Sequence, residues 1–268
     1  MKWRLFVLVF ALCGNSFAQP EIKDCREVSS LIDYIGKNYY WGSPAWLTKM
    51  DSVIQLCPNS AEAWGDKAMV YALRGDFITW NELMVKAIER DPSYYLGNRA
   101  WHRMRYLQDY SGALKDLMKL DTTASFYTRY VSDVHSHILI AICKEGLGDW
   151  TGALSSYNFA IERQTNERGR EWVGLYDYLH RGVLRLKIGD WEGAISDFNE
   201  EIKLVEKLAD VYYFRGVTYG KMGQRELARK DLLFAKELWL GNGYTRWNPL
   251  TEEFHQVRLS EIERELGN

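Results

Sequence analysis

The side chains best suited to chemistry in this 268-residue chain are its five histidines and four cysteines, and their spacing excludes most of that chemistry. His135-Ser136-His137 is compact, and His102 and His180 are candidates for equivalent helices. Residues two apart on a helix point to different faces, so His135 and His137 do not converge on one ion, and no further ligand follows at a metal-like interval. The cysteines form no Cys-x-x-Cys pair. There is no Gly-rich phosphate loop, Gly-x-Ser-x-Gly elbow or His-Glu-x-x-His run. Carboxylates are abundant but show no convergent acid–base pair. The expectation is a protein that is not an enzyme, with no cofactor and no metal; a metal-dependent enzyme or ligand receptor built on His102, His135 and His180 is the alternative.

Composition narrows the class further. An apolar share of 47% with 26% charged residues is that of a folded soluble protein. The 34 basic and 36 acidic residues give a formal charge of −2, without the basic surplus of a nucleic-acid binder. Residues 1–18 carry Lys2 and Arg4, an apolar run from Leu5 to Cys13 and the small or polar end Ser16-Phe17-Ala18, a signal-peptide pattern with cleavage expected after Ala18. The apolar run is shorter than a membrane span, and no later stretch is long and apolar enough to cross one. Lipidation at Cys13 is disfavoured by the bulky Leu12 before it. An exported chain, periplasmic or secreted, is therefore expected. Its remaining cysteines, Cys25, Cys57 and Cys143, would sit where disulfides form.

The positioning elements announce themselves as repeats. Leu147-Gly148-Asp149-Trp150-Thr151-Gly152-Ala153-Leu154-Ser155-Ser156-Tyr157-Asn158 returns as Ile188-Gly189-Asp190-Trp191-Glu192-Gly193-Ala194-Ile195-Ser196-Asp197-Phe198-Asn199, with seven of twelve letters shared. A Gly able to take left-handed angles followed by an Asp able to cap N–H groups reads as one helix ending and a second beginning. Trp46, Trp80, Ala113, Ala153, Ala194 and Ala228 then mark the starts of second helices at separations of 34, 33, 40, 41 and 34 residues. That period is the mark of stacked helix-turn-helix units.

Tyr212, Arg215-Gly216, Tyr219, Ala228, Leu232 and Ala235, with Tyr178, Arg181-Gly182, Ala194 and Phe198, follow one pattern of aromatic, small and apolar positions. Trp64, Ala68, Tyr71, Met84, Ala87 and Asp91-Pro92 repeat it. In these residues the chain resembles the tetratricopeptide-repeat family, strongly in its second half. The resemblance implies an all-α, right-handed α-solenoid of about six repeats over residues 19–268: 23–60, 61–93, 94–133, 134–174, 175–208 and 209–242, closed by a capping helix at 249–266. In the third copy Trp101 or His102 stands at the small position, with the register open by one residue. Within the capping helix Phe254, Val257, Ile262 and Leu266 are expected to face inward, and Glu253 to face water.

The same resemblance implies a concave groove lined by first helices. By position it holds Tyr95, Asn98, Arg99, His102, Arg105, His135, Ile138, Tyr176, Leu179, His180 and Tyr213, an aromatic and mildly basic set. Ile138, Ile142, Leu179 and Val183 stand where some family members carry a carboxylate clamp, so that clamp is absent. The expected partner is a protein or peptide with apolar side chains and an acidic group near Arg99 and Arg105. A structural subunit of an envelope complex, acting through loops and convex face, is an alternative; Phe126, Tyr127, Tyr130 and Trp172 in the two longer inter-repeat loops would serve it. Cys25 begins the first repeat's helix A and Cys57 ends its helix B, so an antiparallel pair brings them together. The expected bridge contributes roughly 2–4 kcal/mol; two independent thiols are the alternative.

Overall fold

The computed structural model describes residues 25–123, 130–241 and 253–267. The expected signal peptide, Cys13, Phe126, Tyr127 and the start of the expected capping helix lie outside them. The described residues are all-α, apart from one two-stranded hairpin. They fall into two compact units, one ending at Arg90 and one beginning at Asp91.

The first unit contains α1 (Val28–Asn38), α2 (Pro44–Leu56), α3 (Ala61–Leu73) and α4 (Phe77–Arg90). Ser43 and Ser60 start α2 and α3 by accepting the N–H of Trp46 and Ala63 at 3.1 and 3.2 Å, and Pro44 occupies the first turn where no N–H is needed. Trp46 and Met50 from α2 fill the space against Leu31 and Ile35 of α1 and Val70 of α3. Cys25 and Cys57 are bonded, with Cα atoms 5.5 Å apart, closing a loop over the weakest copy of the pattern.

The second unit contains α5 (Pro92–His102), α6 (Tyr110–Thr123), α7 (Ser136–Gly146), α8 (Trp150–Arg168), α9 (Asp177–Ile188), α10 (Trp191–Leu204), α11 (Ala209–Lys221), α12 (Arg225–Leu240) and α13 (Leu259–Gly267). Asp109, Asp149 and Asp190 cap α6, α8 and α10 by accepting the N–H of Gly112, Gly152 and Gly193 at 2.9–3.0 Å. Before two of these caps, Gly148 and Gly189 take φ of 79° and 86°, the left-handed turn expected of them. The small positions are contact points: a Cβ on Gly182 would stand 2.6 Å from the Phe198 ring.

Three local expectations are corrected. In the third copy the small residue is Ala100, fully buried, and not Trp101 or His102. The extra residue is absorbed by a π-helical turn at Arg103–Leu107, which ends on Gln108 in the left-handed region at φ 51°. The fourth copy does not begin as helix, because Ser132 and Asp133 take positive φ and fold Tyr130–Val131 onto Val134–His135 as an antiparallel hairpin. Within the expected helix at 249–266, the described residues 253–258 are non-helical, with His255 at φ 56°, and α13 begins at Leu259.

The longer loop after α8 has a structural use. Gln164 is buried, donates from Nε2 to Asp177 Oδ2 at 2.8 Å, and accepts the N–H of Gly174 at 3.2 Å. Burial pushes the Asp177 carboxyl up to about 7. Trp172 on the same loop is 59% exposed.

Candidate functional site

Two kinds of polar structure occupy the second unit, on different surfaces of its first helices. The first recurs with the repeat. Arg99 grips Asp116 with two bonds of 2.8 Å, Arg181 grips Asp197 at 3.0 and 2.6 Å, and Arg215 grips Asp231 at 2.6 and 2.9 Å. Each fork joins the first helix of a pair to the second helix of the same pair. Arg103 and Arg185 add a bond to Asp116 and Asp197 at 3.0 Å, and each also donates to the carbonyl of Gly112 or Gly193. In α7 and α8 the equivalent places hold Ile140 and Ser156, and Lys144 donates to Ser156 Oγ at 3.0 Å instead.

The second structure does not recur. Glu253-Phe254-His255-Gln256-Val257 runs along α5's π turn, α7, α9 and α11. Arg105 grips the Glu253 carboxylate with both terminal nitrogens, at 2.7 Å for Nη2–Oε1. Its guanidinium also lies 5.2 and 5.7 Å from the Trp101 and Phe254 ring centres, leaving the side chain 4% exposed. His255 Nε2 faces Glu145 Oε1 at 3.2 Å, and its Nδ1 lies 2.9 Å from Nδ1 of His180. Two imidazole nitrogens at that distance share one proton, so one ring is neutral at this contact. Val257 donates its N–H to Asp210 Oδ1 at 2.6 Å and buries its side chain beside Leu179 and Tyr213.

Glu145 ties this arrangement to the repeat frame. Besides His255, it accepts from Lys187 Nζ at 2.6 Å and from the Tyr157 hydroxyl at 3.3 Å. Burial alone would raise its carboxyl, but the bond and charge of His255 and the charge of Lys187 outweigh it and hold the group at about 2. Beside the segment is a cavity of about 330 Å³, lined by Met104, Gln108, Tyr110, Ile142, Lys187 and Phe254.

The residues expected in the groove separate accordingly. Arg105 and His180 converge on the 253–257 segment. Arg99 is committed to its fork with Asp116 and is no acceptor site for a partner's acidic group. His135 is not on a helix face: it caps α7, its Nδ1 accepting the N–H of His137 at 3.2 Å. Tyr176 precedes α9 at φ 77°, its N–H held by Glu201 at 3.1 Å. Tyr95 and Tyr213 are buried. His102 is buried against Tyr106, its Nδ1 2.8 Å from the Asn98 carbonyl, and burial lowers its pKa. Asn98 keeps a buried Oδ1 with no partner among the described residues. Among these residues no group of three or more His, Cys, Asp or Glu is placed to hold a metal, and no helix is long and apolar enough to cross a membrane.

Sequence reading missed Glu145, Lys187, Asp210, Glu253 and His255. Glu145 carried a signal, since the copy 41 residues later has Leu186 in its place. Glu253 and His255 carried none, being expected on a solvated or capping helix.

The helix pairs, their packing glycines and alanines, and their Asp caps define the fold of tetratricopeptide-repeat proteins. No family model matches the sequence, and no curated protein does. Solved structures share the fold. PilW, a type IV pilus biogenesis factor, has a TM-score of 0.61 at 14% identity, covering 80% of this chain and 92% of its own. PilF of Pseudomonas aeruginosa has 0.61 at 15% identity, over 81% and 94%. YrrB, a TPR protein with an unusual peptide-binding site, has 0.53 at 18% identity, over 70% and 91%.

Proposed function

We propose that the protein is a protein-interaction scaffold without chemistry of its own, whose partner engages the first-helix face of the 91–268 unit. The carrying observation is the 253–257 segment. A stretch of chain that turns at 253–256, where the Gln256 N–H bonds the Glu253 carbonyl at 3.2 Å, lies along four successive first-helix elements, held through a carboxylate, an aromatic ring, an imidazole and a backbone N–H. A surface that holds one peptide by these groups has the donors and apolar contacts to hold another. PilW's part in type IV pilus biogenesis and the peptide-binding site of YrrB are consistent with this reading. The leader pattern of residues 1–18 and the Cys25–Cys57 bond favour an exported protein, periplasmic or secreted, working within an envelope assembly.

A photoreactive residue at Lys187, and another at the exposed Leu233 of α12, tests the assignment in native extract. Partner crosslinks from position 187 and none from 233 are expected. The opposite pattern would favour a structural subunit contacting its assembly through second helices.

A further inference from the structure

We propose that the cleft framed by Arg105, Glu145, His180 and Lys187 recognises an acidic–aromatic peptide turn of a partner protein, and that the Glu253-Phe254-His255 turn fills it in cis until that peptide displaces it. This rests on the scaffold reading and names its ligand class.

Arg105 is the centre of the cleft. A guanidinium left 4% exposed beside two rings needs an anion, because desolvating an unpaired charge is prohibitive. The fork arginines of the frame take theirs from 16 or 17 residues away in the same helix pair. Arg105 takes its carboxylate from 148 residues away, out of a non-helical stretch. It is therefore a receptor for an incoming carboxylate, with Trp101 ready to shield the pair. The aromatic preference follows from Phe254, whose ring centre lies 5.7 Å from the guanidinium. His255 is the adaptable part: His180 and Glu145 offer a donor or acceptor on one side and a carboxylate on the other. The cavity of about 330 Å³ beside Phe254 leaves room for a side chain the cis segment does not supply. Tethering gives the cis segment an effective concentration on the order of millimolar, so a partner peptide succeeds by filling that space or by avidity.

The test uses the full chain carrying Glu253→Gln, Phe254→Ala and His255→Ala together, and a fluorescein-labelled octapeptide of residues 251–258 as probe, read by anisotropy. The octapeptide is expected to bind the triple variant at least about ten-fold tighter than it binds the unchanged chain. An octapeptide with the Glu253 and Phe254 positions changed to Gln and Ala is expected to lose about ten-fold. A folded triple variant that binds neither peptide, or both equally, overturns the proposal, as does its concentration-dependent dimerisation through the opened cleft. If circular dichroism shows the triple variant unfolded, Glu253→Gln alone is expected to gain about three-fold, and no gain overturns the proposal. Crosslinks from position 187 with no peptide binding overturn the ligand class alone. Peptide binding with crosslinks only from position 233 supports the cleft and overturns the scaffold reading of that face.

Discussion

Arg99, Arg181 and Arg215 find their carboxylates 16 or 17 residues along the chain, while Arg105 finds its own 148 residues away. The first three build the frame, and three of the second unit's four helix pairs share them. Arg105 belongs to the face where the copies stop agreeing: Glu145 stands against Leu186 of the next copy, and His180 against Leu139 of the copy before. In a repeat protein each unit must dock the next by the same contacts, so packing residues recur. A ligand running across several units meets each one once, at a different point, so recognition residues do not.

The largest expected effect that sharpens this contrast is on the frame. Asp197→Ala leaves Arg181 without its carboxylate and Arg185 with only Asp190 at 3.4 Å, and is expected to lower stability by about 2–3 kcal/mol, less than for a fully sealed pair because both arginines reach water. Ser156→Ala, at the same place in the copy without a fork, is expected to lose under about 1 kcal/mol. Equal losses in parallel thermal melts would erase the distinction.

Next is Gly182→Ala. Its Cβ would meet Phe198 at 2.6 Å, and the ring is fully buried, so the helices must part, at about 1–2 kcal/mol. The same melts check this, and an unchanged midpoint would contradict close packing of Gly182 on Phe198.

Smaller, and of opposite sign, is Asp177→Asn. The carboxyl is raised by burial from 3.8 to about 7, so the folded chain holds a proton that the unfolded chain releases. Stability therefore falls as pH rises from about 4 to about 7 and is flat above that. Asn keeps acceptors for Gln164 and Gly174 without the charge. The variant is expected to melt about 2–4 °C higher at pH 8, corresponding to about 1 kcal/mol, and level with the parent near pH 4. Glu145 runs the other way: its contribution is present above its ordinary 4.5 and lost as pH falls toward about 2. A pH-independent difference for Asp177→Asn would contradict the burial account.

The frame was legible because its determinants are local or periodic. Gly148-Asp149 and Gly189-Asp190 are a turn and a cap within two residues, and Ala153, Ala194 and Ala228 mark packing at a fixed period. The cysteine pairing followed from antiparallel helices. What escaped was local backbone choice and distant pairing. Ser132-Asp133 folds a hairpin in the expected loop that takes the first two residues, Val134 and His135, of the expected fourth copy, and one extra residue in α5's extension is taken up as a π turn. Glu253 has an amphipathic helical pattern around it, yet its helix yields to Arg105, Glu145, His180 and Asp210, which lie from 43 to 148 residues away and leave no trace in the local sequence.

Hydrogen exchange of the 253–257 amides tests the division most directly, in the unchanged chain and in Arg105→Glu and Arg99→Glu. Arg105→Glu is expected to speed exchange of this segment about ten-fold or more while α9 to α12 keep their protection. Arg99→Glu places a carboxylate against Asp116, so it is expected to deprotect α5 and α6. If Arg105→Glu left the segment protected, or both variants loosened the same helices, the claim that one face frames the repeats and the other recognises a peptide would be contradicted.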